Sequence, residues 1–310
     1  MASPLAPEAE WVRVRASGKI NLALRVGGVR PNGYHPLATV FQSVSLFDEI
    51  GVRWAEPGQF TVSVSGEQAE LVPDDDRNLA VKAARLLADH FGPGRLGADI
   101  TIRKTIPVAG GMAGGSADAA GALLACSVLW DLDTSPDELR VFGAELGADV
   151  PFQLMGGTAL GTGRGDELLP VLSRGSYHWV LALSADELST PAVFRRFDQL
   201  NPDAPSELPM PTEVMNALVG SDAAALGQAL LNDLEPAARS MRPSLVRILE
   251  TGTELGALGA IVSGAGPTCA FLAGNEATAV DLSVQLSSLG LCRSVRRVTG
   301  PVPGARLITV

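Results

Sequence analysis

Apolar and polar positions partly alternate, with β-branched residues throughout, in four stretches between Trp11 and about Val64: WVRVRA, KINLALRV, ATVFQSVSLFDEI and FTVSVSG. A period near two predicts strands, here separated by glycine-bearing turns. Beyond Asp74, Asp75 and Asp76 the apolar spacing lengthens to that of a helix over Asn78 to Phe91, with Asn78 as its N-cap. The acidic triplet reads as a solvated approach to that helix rather than a metal site. ADITIRKTIPV returns to strand character, and helices are predicted over Ser116 to Trp130 and Ser135 to Leu146. The second opens on Ser135-Pro136-Asp137-Glu138, a capping box with proline in the first turn. Thr158 to Thr162 and Trp179 to Leu183 read as strands, and the proline-rich stretch from Asn201 to Thr212 as a linker. Four short helical patterns between Thr212 and Thr251 follow, then the strand GAIVSG, a helix over Glu276 to Leu289 and the strand LCRSVRRVTG.

Strands and helices interleave without the strict alternation of a doubly wound sheet, which predicts an α+β chain in two lobes. The division is expected at 1–162 and 163–310, the lobes meeting near Gly156 to Gly165. A length of 310 residues, 46% apolar, is enough for such lobes around a continuous core. No apolar run approaches the ~18 residues of a spanning helix. The leading segment MASPLAPEAE has neither the basic nor the apolar part of a secretory signal, so a soluble, cytoplasmic protein is expected, away from membranes. The net charge of -10 argues against a general nucleic-acid binder, which needs a basic face. Cys126, Cys269 and Cys292 lie far apart and are expected to be reduced thiols. His35, His90 and His178 are scattered, with no CxxC or HExxH, so any metal would be an oxygen-bound ion such as Mg²⁺.

Glycine usage marks candidate chemistry. Pro107-Val108-Ala109-Gly110-Gly111-Met112-Ala113-Gly114-Gly115-Ser116-Ala117-Asp118 sets four glycines ahead of a helix of very small residues. Backbone there can approach a ligand closely, and the free N–H groups of a helix start favour an anion by about 0.3–1 kcal/mol at the surface, up to ~2 when partly buried. A phosphate chain needs both properties; the plainer alternative is a strand-to-helix turn. No Lys-Ser or Lys-Thr pair closes the loop, so it is no Walker A motif and must act through its backbone. Ser116 could cap the helix, bind a phosphate oxygen or support Mg²⁺. Gly92-Pro93-Gly94-Arg95-Leu96-Gly97 has dinucleotide-motif spacing in the wrong context, after a helix and before a strand, and reads as a turn. Val262-Ser263-Gly264-Ala265-Gly266-Pro267-Thr268 fits ligand approach and a tight turn equally.

Two charged residues stand out by setting. Asp149, in Leu146-Gly147-Ala148-Asp149-Val150-Pro151-Phe152, is a candidate base or a turn residue after a helix, and Pro151 is expected to push Val150 into extended geometry. Lys19, in Ala16-Ser17-Gly18-Lys19-Ile20-Asn21, either points to solvent like an ordinary strand lysine or supplies a compact cation that arginine cannot. Among 24 basic residues only Lys19, Lys82 and Lys104 are lysines, and the last two have no assigned role. Arg30-Pro31-Asn32-Gly33-Tyr34-His35 is a turn signal carrying a ring and an imidazole, either a base-recognition pair or a hairpin with surface aromatics.

In this order the Lys19 segment, GGMAGGSADAA, GADVPF and SGAGPT resemble the GHMP kinases, the superfamily of galactokinase, homoserine kinase, mevalonate kinase and phosphomevalonate kinase. The resemblance spans nearly the whole chain. ASGKINLAL, RPNGYHPLATVFQ, IPVAGGMAGGSADAA, LGADVPFQLMGGTALGTGRGDEL, NDLEPAA and VSGAGPTCAFL narrow it to members that phosphorylate a cytidine diphosphate-linked methylerythritol on the non-mevalonate route to isoprenoid precursors. The resemblance implies a two-lobed fold with its active site in the cleft, the first lobe holding the nucleotide and the second the substrate. It implies ATP as donor with Mg²⁺, and a small-molecule hydroxyl as acceptor. Asp149 corresponds to the base, Lys19 to the group that activates the hydroxyl, and the loop from Pro107 to Ala117 to the cradle for the ATP phosphates. Asn21, Tyr34 and His35, with Thr190 and Phe194 of LSTPAVF, correspond to contacts with the cytidine-bearing substrate. The usual family loop reads GGGSSNAA or GGGSSDAA; here Ala109 stands where glycine is common and Ala117 where the second serine sits, so one hydroxyl near the triphosphate is lost. The alternatives are another GHMP kinase, which would have no need of a stacking ring, or a non-catalytic nucleotide sensor on the same fold.

Overall fold

The computed structural model describes residues 11–185 and 187–308; the leading segment MASPLAPEAE lies outside them. In chain order the elements are β1 (Val12–Val26), β2 (Leu37–Trp54), β3 (Phe60–Gly66), α1 (Leu79–Phe91), β4 (Ala98–Lys104), α2 (Gly114–Leu129), α3 (Pro136–Leu146), α4 (Val150–Met155), β5 (Thr158–Thr162), β6 (Glu167–Pro170) and β7 (Tyr177–Leu183). There follow α5 (Thr190–Leu200), α6 (Thr212–Gly220), α7 (Ala223–Ala229), β8 (Leu231–Asn232), α8 (Glu235–Met241), α9 (Ser244–Glu254), β9 (Gly259–Val262), β10 (Cys269–Ala273), α10 (Glu276–Ser288), β11 (Ser294–Gly300) and β12 (Arg306–Leu307). The α+β class expected from the interleaved pattern is the one found.

The first sheet runs β12-β1-β2-β4-β3, with β5 and β6 continuing from β2 and β8 pairing with β1; the second is antiparallel, β11-β7-β10-β9. Local signals set several boundaries as expected. Asn78 accepts from the Ala80 N–H to cap α1, and Ser135 with Glu138 forms the capping box of α3. The glycine-proline turn at 92–97 joins α1 to β4. Asp75 and Asp76 pair with Arg77 and Arg85 at the surface, ahead of and along α1.

Elsewhere long-range packing overrules the local pattern. β1 runs unbroken through Gly18, where a turn is expected, because register shifts at Ser17/Gly18 and Asn21/Ala23 absorb the irregularity against β2. Residues 16–24 are consequently buried on both faces. The expected division at 162/163 falls inside the β5–β6 hairpin: Gly163 and Gly165, at φ 67° and 94°, fold the chain back so that β6 pairs with β5 in the first sheet. The first sheet therefore continues through Pro170, and it regains residues 306–307 as β12. Gly156 meets the returning C-terminal segment so closely that an added Cβ would lie 1.9 Å from the Gly304 nitrogen.

Helix α2 is the centre of the first lobe, packed on β1, β2 and α1. Its small residues allow that approach: a Cβ at Gly121 would fall 2.6 Å from Ile50 Cδ1. The same closeness brings the helix N-terminus, and the loop that feeds it, to the middle of β1.

Candidate active site

A cleft of about 990 Å³ runs between the glycine loop, the middle of β1, the β1–β2 turn, the α3–α4 junction and α5. Lys19, Asn21, Tyr34, His35, Asp149, Thr190 and Phe194 all line it, as do Pro107, Ala109, Gly110, Gly111 and Ala113 to Ser116 of the loop. Three expected loop contacts lie elsewhere. Met112 and Ala117 are fully buried in the core, and Val108 turns to a small hollow behind the loop, where its N–H donates to Gln68 Oε1 at 3.1 Å.

The loop's shape comes from alternating left-handed residues, Ala109, Gly111 and Ala113, at φ 52°, 75° and 59°. At Gly111 no side chain fits, since a Cβ would sit 2.1 Å from the Ser263 carbonyl oxygen. Helix α2 starts at Gly114, two residues before the expected Ser116, with Ala113 as N-cap and no side-chain cap. Ser116 is thus not the cap; it is half-buried and lines the cleft wall. The first turn of α2 leaves N–H groups without helical partners at this wall, an arrangement that favours anions in general.

Lys19 sits beneath this loop. Its backbone N–H donates to the Met112 carbonyl at 3.2 Å, and its ammonium, on a side chain almost wholly buried, donates to Asn21 Oδ1 at 2.7 Å. Asn21 in turn donates to Thr39 Oγ1 at 2.8 Å, so the lysine's partner is itself held. Burial pushes the Lys19 ammonium below the ordinary lysine value, and the charge of Asp149 offsets part of that push. The Val262–Thr268 turn, left open between two interpretations, belongs to the site: Gly264 and Ala265 line the cleft, and a Cβ at Gly264 would lie 3.4 Å from Lys19 Nζ.

Asp149 precedes a helix that sequence patterning misses. Val150 opens α4 instead of standing extended, because a proline in a first helical turn lacks only an N–H that has no helical partner there. Asp149 makes no side-chain cap bond, which leaves its half-buried carboxylate to the cleft.

At the far end, His35 Nε2 is hydrogen-bonded to Asp198 Oδ1 at 2.7 Å and the ring packs against Phe194, centroids 4.8 Å apart. Asp198 is four residues from Phe194 on α5, hence on the same helix face; with α5 unpredicted there was no period to reveal it. Tyr34 is more than half exposed at the rim, with the Arg164 guanidinium 5.4 Å from its ring centroid.

One cluster beneath the loop also escaped notice. Lys104, at the end of β4, donates to Asp48 at 2.5 Å and Asp118 at 2.7 Å, all three side chains being almost wholly buried. Asp48 Oδ1 further accepts the N–H groups of Thr105 and Ile106, at 2.5 and 2.9 Å, as the chain leaves β4 for the loop. Burial pushes the Asp118 carboxyl up to about 8 against the pull of Lys104. Burial likewise works against charge on Lys104, but Asp118 and Asp48 outweigh it and hold the ammonium above its ordinary value. The only signal available was the rarity of lysine. Lys82, by contrast, is exposed on α1. Among the described residues no group of three or more His, Cys, Asp or Glu side chains could hold a metal ion.

Comparison with known proteins agrees with this geometry. The pattern of the GHMP kinases N terminal domain matches residues 78–157, and that of the GHMP kinases C terminal matches 214–290. A 4-diphosphocytidyl-2-C-methyl-D-erythritol kinase of Rhodococcus jostii (strain RHA1) is 54% identical over 96% of this chain and 95% of its own, and one of Mycolicibacterium smegmatis (strain ATCC 700084 / mc(2)155) is 50% identical over 99% and 97%. A crystal structure of a 4-(cytidine 5'-diphospho)-2C-methyl-D-erythritol kinase superposes with a TM-score of 0.77 at 30% identity, covering 94% of this chain and 99% of that one. With four motif-bearing segments converging on one cleft and this similarity extending over nearly the whole length, the chain belongs to the GHMP kinases, in the group of the 4-diphosphocytidyl-2-C-methyl-D-erythritol kinases.

Proposed function

We propose that the protein transfers the γ-phosphoryl group of ATP to the 2-hydroxyl of 4-diphosphocytidyl-2-C-methyl-D-erythritol, giving the 2-phosphate and ADP. The observation that carries this reading is the buried Lys19 ammonium beside Asp149 in a cleft walled on one side by the glycine loop and on the other by Tyr34, His35 and Phe194. The loop N–H groups and the α2 N-terminus hold the triphosphate, with Ser116 offering a hydroxyl to it. Asn21, Tyr34, His35, Thr190 and Phe194 take the cytidine-bearing substrate, so both lobes contribute to that end of the cleft. Mg²⁺ arriving with ATP offsets phosphate charge.

Asp149 accepts the proton of the acceptor hydroxyl as its oxygen bonds to the γ-phosphorus, and the bond from that phosphorus to the β,γ-bridging oxygen breaks to release ADP. Lys19 stabilises the oxygen as negative charge grows on it. At ~4 Å and an effective dielectric near 20, a unit-charge pair of this kind interacts by about 4 kcal/mol. Most of the remaining acceleration comes from holding donor and acceptor in line. Purified protein should convert ATP to ADP with the cytidine substrate and give a product phosphorylated at the 2-position. Turnover of homoserine or mevalonate in its place would overturn the reading.

A further inference from the structure

Arg164 lies at the tip of the β5–β6 hairpin, a segment with no part in the chemistry above. Gly163 and Gly165 on either side take left-handed conformations, which turn the arginine toward the cleft, where it lines both the main cavity and an adjoining recess of about 420 Å³. Its guanidinium is clamped: Nε and Nη2 donate to Asp166 Oδ2 at 3.0 and 2.5 Å, and the Arg164 backbone N–H donates to Asp166 Oδ1 at 3.2 Å. Asp166 is itself mostly buried. The fixed plane lies over Tyr34, 5.4 Å from the ring centroid. Tyr34 is 53% exposed, so little else restrains it; its backbone is held by Asn32, whose Oδ1 accepts the Tyr34 N–H at 3.1 Å.

We propose that Arg164, fixed by Asp166, is a positioning residue for Tyr34: it covers one face of the ring and thereby presents the other to the flat, nucleobase end of the acceptor substrate. This rests on the function proposed above, because only a substrate bearing a base gains from a ring set in advance. A cation over one face of an aromatic ring is an attraction that leaves the opposite face free for the ligand. Immobilising the ring before binding removes an ordering cost that would otherwise weaken the complex. Arginine suits the task where lysine would not, since its several N–H groups engage Asp166 while its charge stays over the ring. The effect is confined to one substrate, as Arg164 is no part of the glycine loop.

The test is steady-state kinetics of Arg164→Ala, Asp166→Asn, Tyr34→Ala and the double variant Tyr34→Ala/Arg164→Ala, varying each substrate separately. Arg164→Ala should raise KM for the cytidine substrate by roughly two- to fivefold, the range expected of a solvent-exposed cation–π contact, with kcat and KM for ATP unchanged. Asp166→Asn should shift the same KM by a smaller factor. In the Tyr34→Ala background the Arg164 substitution should cost nothing further. An unchanged KM in Arg164→Ala, or an equal rise in KM for ATP, would overturn the proposal. So would a full additional loss in the double variant, which would make Arg164 a direct substrate contact. Failure of the wild-type enzyme to turn over the cytidine substrate would instead remove the function itself.

Discussion

Replacing Lys104 by methionine tests what holds the glycine loop in place. The ammonium is fully enclosed between Asp48 and Asp118 at 2.5 and 2.7 Å, and methionine fills most of its volume without its charge. Asp118, already pushed up to about 8, can take a proton near neutral pH, so its share of the loss is small. Asp48 is the other side of the loss: its Oδ1 stays held by the Thr105 and Ile106 N–H groups, while its buried Oδ2 is left without the Lys104 donor. Breaking a buried pair from one side costs about 3–5 kcal/mol. For a chain of this size that lowers the melting temperature by on the order of 10 °C. Adding Asp48→Asn removes the stranded charge while keeping an oxygen for the two N–H groups, and should restore most of the loss. Urea unfolding, read as a shift in midpoint at constant slope, measures both variants. If Lys104→Met lost less than about 1 kcal/mol, or if the double variant were no better than the single one, the charge-enclosure argument would be refuted.

Lys19→Arg should abolish most turnover while the protein stays folded, because the longer, planar guanidinium cannot place a compact point charge where Asn21 Oδ1 holds Nζ at 2.7 Å; kcat and circular dichroism together check this. Lys19→Ala and Asp149→Asn should bind ATP yet lose near-total turnover by at least roughly a hundredfold, whereas a nucleotide sensor would keep its role in both. The lowered Lys19 value predicts an alkaline fall in kcat that begins below the ordinary lysine value of 10.5, since the charged, active form is lost as pH rises through the folded-state value. Stability should move the opposite way over that window: the unfolded chain binds the proton more tightly, so this group's contribution grows with pH, and parallel unfolding titrations separate the two effects. Ala109→Gly should raise stability by about 0.5–1 kcal/mol in urea, because alanine is strained at a left-handed position that glycine adopts freely.

What could be read in advance was whatever chemistry lies close along the chain. Capping at Asn78 and Ser135, the density of glycine before α2 and the strand periods are local, and each reappears in the fold. The departures have a common cause in pairing between distant segments. Gly18 fails to break β1 because β2 supplies a partner along its whole length, and the hairpin beyond Thr162 joins the first sheet because β5 is already bonded to β2. Lys104 meets Asp48 across 56 residues, and His35 meets Asp198 across 163, separations at which no window of sequence shows a relation. Asp149 was legible as a candidate base but not as the residue before a helix, since a six-residue helix with proline in its first turn has too short a period to detect.

The closure of the first sheet by the chain's last strand bears on how the protein is made. Val14 pairs with Leu307, and the Gly156–Pro303 bridge fastens the same returning segment beside α4. At ~5–20 residues per second, the ribosome delivers that partner roughly 15–60 s after β1 itself emerges. For that interval the nascent lobe, with its glycine loop, Lys19 and Asp149 already synthesised, lacks the partner that pairs with Val14 and Arg15 of β1. That edge of β1 therefore waits on synthesis of residues 303–307, and a chain truncated before Val302 would lack both the Gly156–Pro303 bridge and the pairing of Val14 with Leu307.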